Sequence, residues 1–295
     1  NIIMIKGSIV ALITPFHEDG SVNFEKLGEL LEMHVASGTD GILVLGTTGE
    51  SSTMSHEEDD SVVKYTIEKI NHRLPVVVGA GSNDTQTAID KSIKYEKMGA
   101  DYLLIITPYY NKANEGGMIA HFTKVADSVH IPVIMYNVPG RTGCKLSEHA
   151  VQVLSKHPNI CGIKEASGDI SYVMNISRYL NDDFVMYSGN DDMVIPVLSA
   201  GGSGVISVFA NTNPKECHEM VISWLAGDHQ KGLSLQQKYL DYIHALFCEV
   251  NPIPVKEALN LMGKEVGGYR LPLYPMDPKN RQHLKEEMQK VGIIE

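Results

Sequence analysis

The sequence predicts an α/β fold, a (β/α)8 TIM barrel with a C-terminal helical extension. Short apolar segments rich in β-branched residues recur along residues 1–227, and amphipathic segments lie between them. Strict alternation of strand and helix indicates a parallel sheet, and about eight such units is the number at which the sheet closes into a barrel. An open, doubly wound sheet is the alternative that the alternation alone leaves open.

Each apolar segment is interpreted as a strand buried on both faces, because such strands are apolar throughout. Capping signals for helices separate the strands, at Asn23, at Ser55 with Glu58, and at Asn213 with Glu216. In chain order the eight predicted strands are residues 9–13, 41–45, 75–78, 102–106, 132–136, 160–163, 184–187 and 204–208.

After the eighth predicted strand the pattern is helical only, with candidates at residues 228–247, 254–262 and 278–291. This extension, residues 228–295, has too few large apolar side chains to fold alone comfortably. We therefore expect it to pack on the barrel of residues 1–227 or on a second subunit.

The composition argues against several classes of partner. A formal net charge of −11 opposes binding to nucleic acid. No stretch reaches the roughly 18 consecutive apolar residues of a membrane span, and residues 1–7 lack the pattern of a secretory signal, so a cytoplasmic protein is expected. The four cysteines lie far apart and the twelve histidines form no HExxH motif, so no metal site is predicted.

In a TIM barrel the active site is built from residues at the carboxyl ends of the strands. Lys164 directly follows an apolar segment, where partial burial disfavours an ammonium ion and frees an amine that can attack a carbonyl. Thr47, Tyr110 and Tyr136 follow strands at the same end, and their hydroxyls can relay the protons that Schiff-base chemistry requires. A lysine that reaches solvent or pairs with Glu165 is the alternative on position alone.

The loops at this end favour a small carboxylic acid without a phosphate group. The turn at residues 46–50 combines two glycines with threonine hydroxyls and exposed N–H groups, which suit a carboxylate, although a purely structural turn is an alternative. The loop after the seventh strand carries Asp191 and Asp192, and residues 209–213 contain no lysine or arginine. Both features disfavour a phosphorylated substrate.

With these residues the chain resembles the dihydrodipicolinate synthases over nearly its whole length. Four stretches carry the resemblance, residues 46–50, 109–111, 136–143 and 162–166. It implies a pyruvate-dependent lyase without a metal or organic cofactor, since the protonated imine is itself the electron sink. The implied substrates are pyruvate and L-aspartate 4-semialdehyde. The implied product is 4-hydroxy-tetrahydrodipicolinate, on the route to diaminopimelate and lysine, and the implied assembly is a homotetramer built as a dimer of dimers.

The resemblance also implies the roles of individual residues. Lys164 would form the imine with pyruvate. Thr47, Tyr136 and Tyr110 would form the hydroxyl relay, with Tyr110 reaching in from a neighbouring subunit. The residues implied for binding the substrates and shaping the pocket are Thr48, Arg141, Gly189 and Ile206.

Arg141 favours this reaction over related ones. N-acetylneuraminate lyases and keto-deoxy sugar acid aldolases share the lysine and the tyrosine of strand 5, but they meet neutral hydroxyls where aspartate semialdehyde presents a carboxylate. A guanidinium group holds a carboxylate with two parallel N–H bonds. An ion pair with a loop carboxylate is the structural alternative for Arg141. A sugar-acid aldolase and a non-catalytic binding barrel stay open as alternative functions.

The resemblance further implies a regulatory cleft, where lysine-inhibited members of the family bind L-lysine at a subunit interface. Two positions depart from the pattern of those members. Thr87 stands where they place a glutamate for the ligand's ammonium group, and Asp59 replaces a histidine. Loss of that glutamate predicts that L-lysine does not inhibit this chain. The cleft maps onto Ser51, Ser52, His56, Asp59, Asn83, Thr87 and Tyr109.

Overall fold

Eight parallel strands close into a barrel in the computed structural model, which describes residues 4–295. In chain order, β1 to β8 are Gly7–Ala11, Gly41–Val44, Val76–Gly79, Tyr102–Ile106, Val133–Asn137, Ile160–Glu165, Val185–Ser188 and Gly204–Ser207. Each strand pairs with the next one in the chain, and β1 also pairs with β8. The predicted TIM barrel is therefore confirmed. No secretory signal is predicted in residues 1–7, and the first three of these residues lie outside the described part of the chain.

The predicted strands match the observed ones to within two residues at each end. The difference that matters is in β6, which continues through Lys164 and Glu165 instead of ending before them. Lys164 lies opposite Tyr136 of β5 and Tyr187 of β7 in the hydrogen-bonded ladder. The backbone at Lys164 is therefore fixed on both sides by neighbouring strands.

Helices surround the barrel and follow it in the chain. Two of the predicted start signals are observed: the Asn23 side chain caps its helix, and Ser55 with Glu58 forms both bonds of a capping box. At the third the helix begins at Pro214 as predicted, with Asn213 in the cap position, but the Asn213 side chain makes no capping bond and its amide oxygen accepts from the Thr212 hydroxyl. In chain order, α1 to α12 are Phe24–Ala36, His56–Ile70, Thr85–Met98, Glu115–Asp127, Pro139–Thr142, Glu148–Leu154, Ile170–Ser177, Val194–Ser199, Pro214–Leu225, His229–Ala245, Ile253–Leu261 and Pro278–Lys290.

Large apolar side chains fill the barrel interior below the carboxyl ends of the strands. Ile9, Leu43, Ile134 and Ile206 belong to this interior cluster. At the opposite end, the buried hydroxyl of Tyr187 donates to the Ile5 carbonyl at 2.6 Å. The interior is therefore a packed core, and open space for a ligand lies at the carboxyl ends of the strands.

The C-terminal helices pack on the barrel and on each other. α10 lies against α9, and α12 contacts both α10 and α11. Arg270, in the link between α11 and α12, bonds to Glu58 of α2 and to the Gly20 carbonyl. Hydrogen bonds from Arg270 lower the pKa of Glu58 to about 2. The extension is thus tied to the helical layer next to the turn at residues 46–50.

Candidate active site

A cavity of about 340 Å³ lies at the carboxyl ends of the strands. Its lining includes groups from several strand ends and also Asn251 of the C-terminal extension. Of the eight residues predicted for catalysis and substrate binding, seven line this cavity: Thr47, Thr48, Tyr136, Arg141, Lys164, Gly189 and Ile206. The structure therefore brings one amine, several hydroxyls and one guanidinium group to a common space.

Lys164 is the buried amine of this cavity, with 7% of its surface exposed. Its Nζ lies 4.0 Å from the centroid of the Tyr136 ring, an arrangement in which the ring face stabilises a positive charge. Gly189 leaves room for this side chain, since a Cβ there would come within 3.2 Å of Lys164 Cε and 2.7 Å of Ala166 Cβ. A positive charge that forms on Lys164 during the reaction is thus held against an aromatic ring.

Glu165 does not pair with Lys164, so the structural alternative for the lysine is not observed. The Glu165 carboxylate accepts hydrogen bonds from Asn137 and from the backbone and hydroxyl of Ser167. Burial raises the pKa of Glu165, and these hydrogen bonds act in the opposite direction. Successive residues of a strand point to opposite faces, which separates the carboxylate from the amine.

Asn251 connects the two regions predicted to bind carboxylates, and sequence reasoning missed it. Its Nδ2 donates to the Thr48 hydroxyl at 2.9 Å, and its carbonyl accepts from Arg141 Nη2 at 3.0 Å. The Asn251 Oδ1 is buried without a partner among the described residues. An asparagine 203 residues from Thr48 in the chain gives no local signal of this contact.

Arg141 lies in the short helix α5 with its side chain exposed at the cavity. Within the described part of the chain its recorded partner is the Asn251 carbonyl, so the alternative of an ion pair with a loop carboxylate is not observed. The guanidinium group keeps donors free for a substrate carboxylate.

Asp191 supports the site from below, which corrects the expectation that it faces the ligand. The side chain is buried and accepts hydrogen bonds from the Ser207 hydroxyl and from the N–H groups of Val208 and Phe209. Burial raises the pKa of Asp191. The carboxylate therefore fixes the turn after β8. The argument against a phosphorylated substrate rests on residues 209–213, which lack a basic side chain.

A buried ion pair supports the turn at residues 46–50. Lys256 Nζ donates to Glu50 Oε2 at 2.7 Å and to the Thr14 carbonyl at 2.8 Å. Burial lowers the pKa of Lys256, and the Glu50 carboxylate at hydrogen-bond distance acts in the opposite direction. Sequence reasoning missed the pair because its members are 206 residues apart.

Tyr110 is the predicted residue that a single chain does not bring to the cavity. Its side chain is 90% exposed, and its backbone has a positive φ of 71°. Its neighbour Tyr109 lines the cavity. A large aromatic side chain held in solvent by a constrained backbone is typical of a residue that contacts another molecule.

The residues of the predicted regulatory cleft divide into two groups. Ser51, Ser52, Asp59 and Tyr109 line the same cavity as Lys164, whereas His56, Asn83 and Thr87 lie outside its lining. Burial raises the pKa of Asp59 to about 7, and its Oδ1 has no partner among the described residues.

Thr87 and Lys91 bear on how the cleft would receive a charged ligand. The Thr87 hydroxyl donates to Asp84, which caps α3. Lys91 also lines the cavity, so the cleft contains a cation.

Residues 4–295 contain no cluster of potential metal ligands and no helix that could cross a membrane. No group of three or more histidine, cysteine, aspartate or glutamate side chains in that range is arranged to hold a metal ion. In the same range, every helix is too short or too polar to cross a membrane. The chemistry that the described residues themselves offer is that of an amine nucleophile with hydroxyl groups around it.

The chain is similar to known proteins over nearly its whole length. The model of the "Dihydrodipicolinate synthetase family" matches residues 4–291. A relative from Thermoanaerobacter sp. (strain X514), named 4-hydroxy-tetrahydrodipicolinate synthase, is 51% identical over 292 residues, which cover 99% of this chain and 98% of the relative. A second relative, 4-hydroxy-tetrahydrodipicolinate synthase 1 from Clostridium acetobutylicum, is 49% identical over 291 residues. These residues cover 99% of this chain and 99% of the relative. A crystal structure of the chloride-inhibited dihydrodipicolinate synthase from Acinetobacter baumannii, complexed with pyruvate, superposes with a TM-score of 0.96 at 42% identity, covering 99% of this chain and 100% of that one.

Proposed function

The chain belongs to the dihydrodipicolinate synthetase family, and we propose that Lys164 is the Schiff-base nucleophile of its reaction. The enzyme is a lyase that condenses pyruvate with L-aspartate 4-semialdehyde to give 4-hydroxy-tetrahydrodipicolinate. The observation that supports the role of Lys164 is its burial at the cavity, with Nζ 4.0 Å from the Tyr136 ring centroid. Lys91 also lines the cavity, but it belongs to helix α3 and not to a strand of the barrel.

The first half of the reaction forms the imine. The Lys164 amine attacks the keto carbon of pyruvate, and the carbinolamine loses water to give the protonated imine. Thr47 and Tyr136 supply hydroxyl groups that move protons to the departing water and from the pyruvate methyl group. Thr48, next to Thr47 in the turn at residues 46–50, binds the pyruvate carboxylate.

The second half joins the two substrates. Loss of the methyl proton gives an enamine, whose carbon forms a bond to the aldehyde carbon of the semialdehyde. Arg141 holds the carboxylate of this second substrate at the cavity entrance. The amino group of the adduct then attacks the imine carbon, closes the ring and releases the Lys164 amine.

The function is tested by comparing substrates. We expect purified enzyme to consume pyruvate with L-aspartate 4-semialdehyde and to leave N-acetylneuraminate and 2-keto-3-deoxygluconate essentially uncleaved. Faster cleavage of either sugar acid would identify the chain as a sugar-acid aldolase. Absence of turnover with every substrate, together with absence of an imine, would favour a binding barrel.

Replacing Arg141 with alanine is expected to impair the second substrate far more than the first. Loss of a two-bond contact to a carboxylate at a partly open site costs about 2 kcal/mol, or roughly thirtyfold in kcat/KM for the semialdehyde. Steady-state kinetics with varied semialdehyde measures this loss.

Two further measurements on this position serve as controls. The rate of borohydride trapping with pyruvate alone is expected to stay within about twofold, because imine formation does not involve the guanidinium group. Arg141→Lys keeps the charge without the planar pair of donors and is expected to give an intermediate loss. Equal losses in trapping and in turnover would mean that Arg141 organises the whole site.

We further propose that Tyr110 completes the site of a neighbouring chain within a homotetramer built as a dimer of dimers. The 90% exposure of Tyr110 and its absence from the cavity of its own chain support this arrangement. Tyr110→Phe alone is expected to lose about a hundredfold in kcat, since it removes one member of the proton relay.

Mixed oligomers decide which chain supplies this tyrosine. Co-expression of a Tyr110→Phe chain with a Lys164→Ala chain places an intact lysine and an intact tyrosine in the same site only when Tyr110 acts between chains. Recovery of activity in the isolated mixed oligomer is expected. Activity no higher than that of the two single variants would place Tyr110 in its own chain's site.

L-lysine is expected to leave activity unchanged up to millimolar concentrations. Thr87 provides no carboxylate for the ligand's ammonium group, and Lys91 at the cavity adds a charge of the same sign as that ammonium. Missing one charged partner costs roughly a hundredfold in affinity. Steady-state assays with added L-lysine test this, and half-inhibition below about 1 mM would contradict it. A Thr87→Glu variant is the matched control and is expected to gain sensitivity.

A further inference from the structure

A buried pair of side chains lies directly behind the two groups that hold the imine. Asn137 follows Tyr136 in β5, Glu165 follows Lys164 in β6, and the two residues are opposite each other in the ladder. Asn137 Nδ2 donates to Glu165 Oε1 at 2.8 Å. Both side chains are almost completely buried, so this hydrogen bond is shielded from water.

Asn137 also contacts the end of the segment that carries Arg141, residues 138–146. Asn137 Oδ1 accepts from the backbone N–H of Leu146 at 3.0 Å. The Tyr172 hydroxyl donates to the Leu146 carbonyl at 2.8 Å, which ties this point to α7 as well. Residues 138–146 leave β5 and return without pairing to a strand. Within the segment, the Cys144 thiol also contacts the Pro108 carbonyl, and Asn137 anchors the point at which the segment returns.

Glu165 holds Asn137 in the orientation that this closure needs. Its Oε1 also accepts from the Ser167 N–H at 2.9 Å, and its Oε2 accepts from the Ser167 hydroxyl at 3.0 Å. A carboxylate only accepts, so it selects the amide orientation in which Asn137 Nδ2 faces it and Oδ1 faces Leu146. Exchanging the two amide atoms would set the amide oxygen against the Glu165 carboxylate and leave the buried Leu146 N–H without an acceptor.

We infer that Asn137 and Glu165 are positioning residues for the second substrate, acting through the segment that carries Arg141. The backbone ladder alone already fixes Tyr136 opposite Lys164. Arg141 is exposed and has no such ladder: it is held by helix α5 and by the Asn251 carbonyl, and the closure at Leu146 fixes the far end of its segment. The inference rests on the role proposed above for Arg141.

An Asn137→Asp variant tests it. The new carboxyl group still offers an oxygen to the Leu146 N–H, but it faces the Glu165 carboxyl group, so the pair either shares a proton or carries two like charges, and kinetics are compared at rising pH, where both groups ionise. We expect KM for the semialdehyde to rise at least about tenfold, while borohydride trapping by pyruvate at Lys164 stays within about twofold. Equal losses in both would show that the pair only supports the barrel and would overturn the inference.

The double variant Asn137→Asp with Glu165→Gln distinguishes positioning from general damage. Glutamine can donate to the new aspartate, which restores this hydrogen bond with donor and acceptor exchanged, while the Ser167 N–H loses the acceptor at the same atom. KM for the semialdehyde is expected to return to within about threefold of the wild-type value. A double variant no better than Asn137→Asp, both folded by circular dichroism, would refute the role of this bond.

A milder variant covers the case in which Asn137→Asp does not fold. Tyr172→Phe removes the outer tie at Leu146 and is expected to raise the same KM about threefold without changing pyruvate trapping. An unchanged KM would overturn the inference while leaving the proposed function intact. If wild-type enzyme is not trapped by pyruvate at Lys164, the proposed function itself fails, which is a separate outcome.

Discussion

Replacing Lys164 with alanine is expected to reduce kcat at least about a thousandfold while the protein remains folded. The variant loses the amine that forms the imine, and the other lysine of the cavity lining, Lys91, belongs to helix α3 and not to β6. Removal of the Lys164 side chain leaves space beside Gly189 that opens into the ligand cavity, so few packing contacts of the protein core are lost. Steady-state turnover measures activity, and circular dichroism checks the fold.

Borohydride trapping identifies the residue directly. Pyruvate with borohydride is expected to leave one stable reduced adduct in the wild-type enzyme, on the peptide that contains Lys164, and none in the alanine variant. Lys256 is the informative internal comparison, because it is also buried but does not line the cavity. Labelling of Lys256, or of any lysine other than Lys164, would refute the mechanism.

Replacing Lys256 with methionine is expected to destabilise the protein by about 3–5 kcal/mol, because the change leaves the Glu50 carboxylate buried without its partner. Methionine keeps most of the side-chain volume, so the loss reports mainly on charge. The melting temperature should fall on the order of 10 °C. Denaturant unfolding at pH 7 and thermal melts at matched protein concentration measure both quantities.

Two comparisons isolate this ion pair. Lys94→Met breaks a half-exposed pair with Asp60, whose side chains are each 37% exposed, and is expected to lose less than about 1 kcal/mol. A double variant with Glu50→Gln and Lys256→Met removes both charges and is expected to be more stable than Lys256→Met alone. A loss below about 1 kcal/mol for Lys256→Met would mean that water or another cation reaches Glu50.

The barrel and most of its site were predictable because their signals are local in the sequence. Each strand is a short apolar run, and the residues that follow such runs meet at one end of a parallel barrel. This rule placed Lys164, Tyr136 and Thr47 together before any contact was known. The extent of β6 was less predictable, since Lys164 and Glu165 are charged yet lie within the ladder.

The contacts that sequence reasoning missed join residues far apart in the chain. Asn251 reaches Thr48 across 203 residues, and Lys256 reaches Glu50 across 206. Both come from an extension whose residues give only a helical pattern. Asp191 was misjudged for a related reason: an aspartate in a loop has the same local pattern whether it faces a ligand or caps a buried turn.

The position of Asn251 at the cavity has a consequence for how such enzymes diverge. The amine and its tyrosine belong to the strands of the barrel, whereas Arg141 and Asn251 belong to a loop and to the C-terminal extension. With the roles proposed above, imine formation depends on strand residues, and the choice of the aldehyde partner depends on a loop and on the extension. Exchange of the loop and the extension between relatives is a route to a new second substrate that leaves the ancestral reaction with pyruvate unchanged.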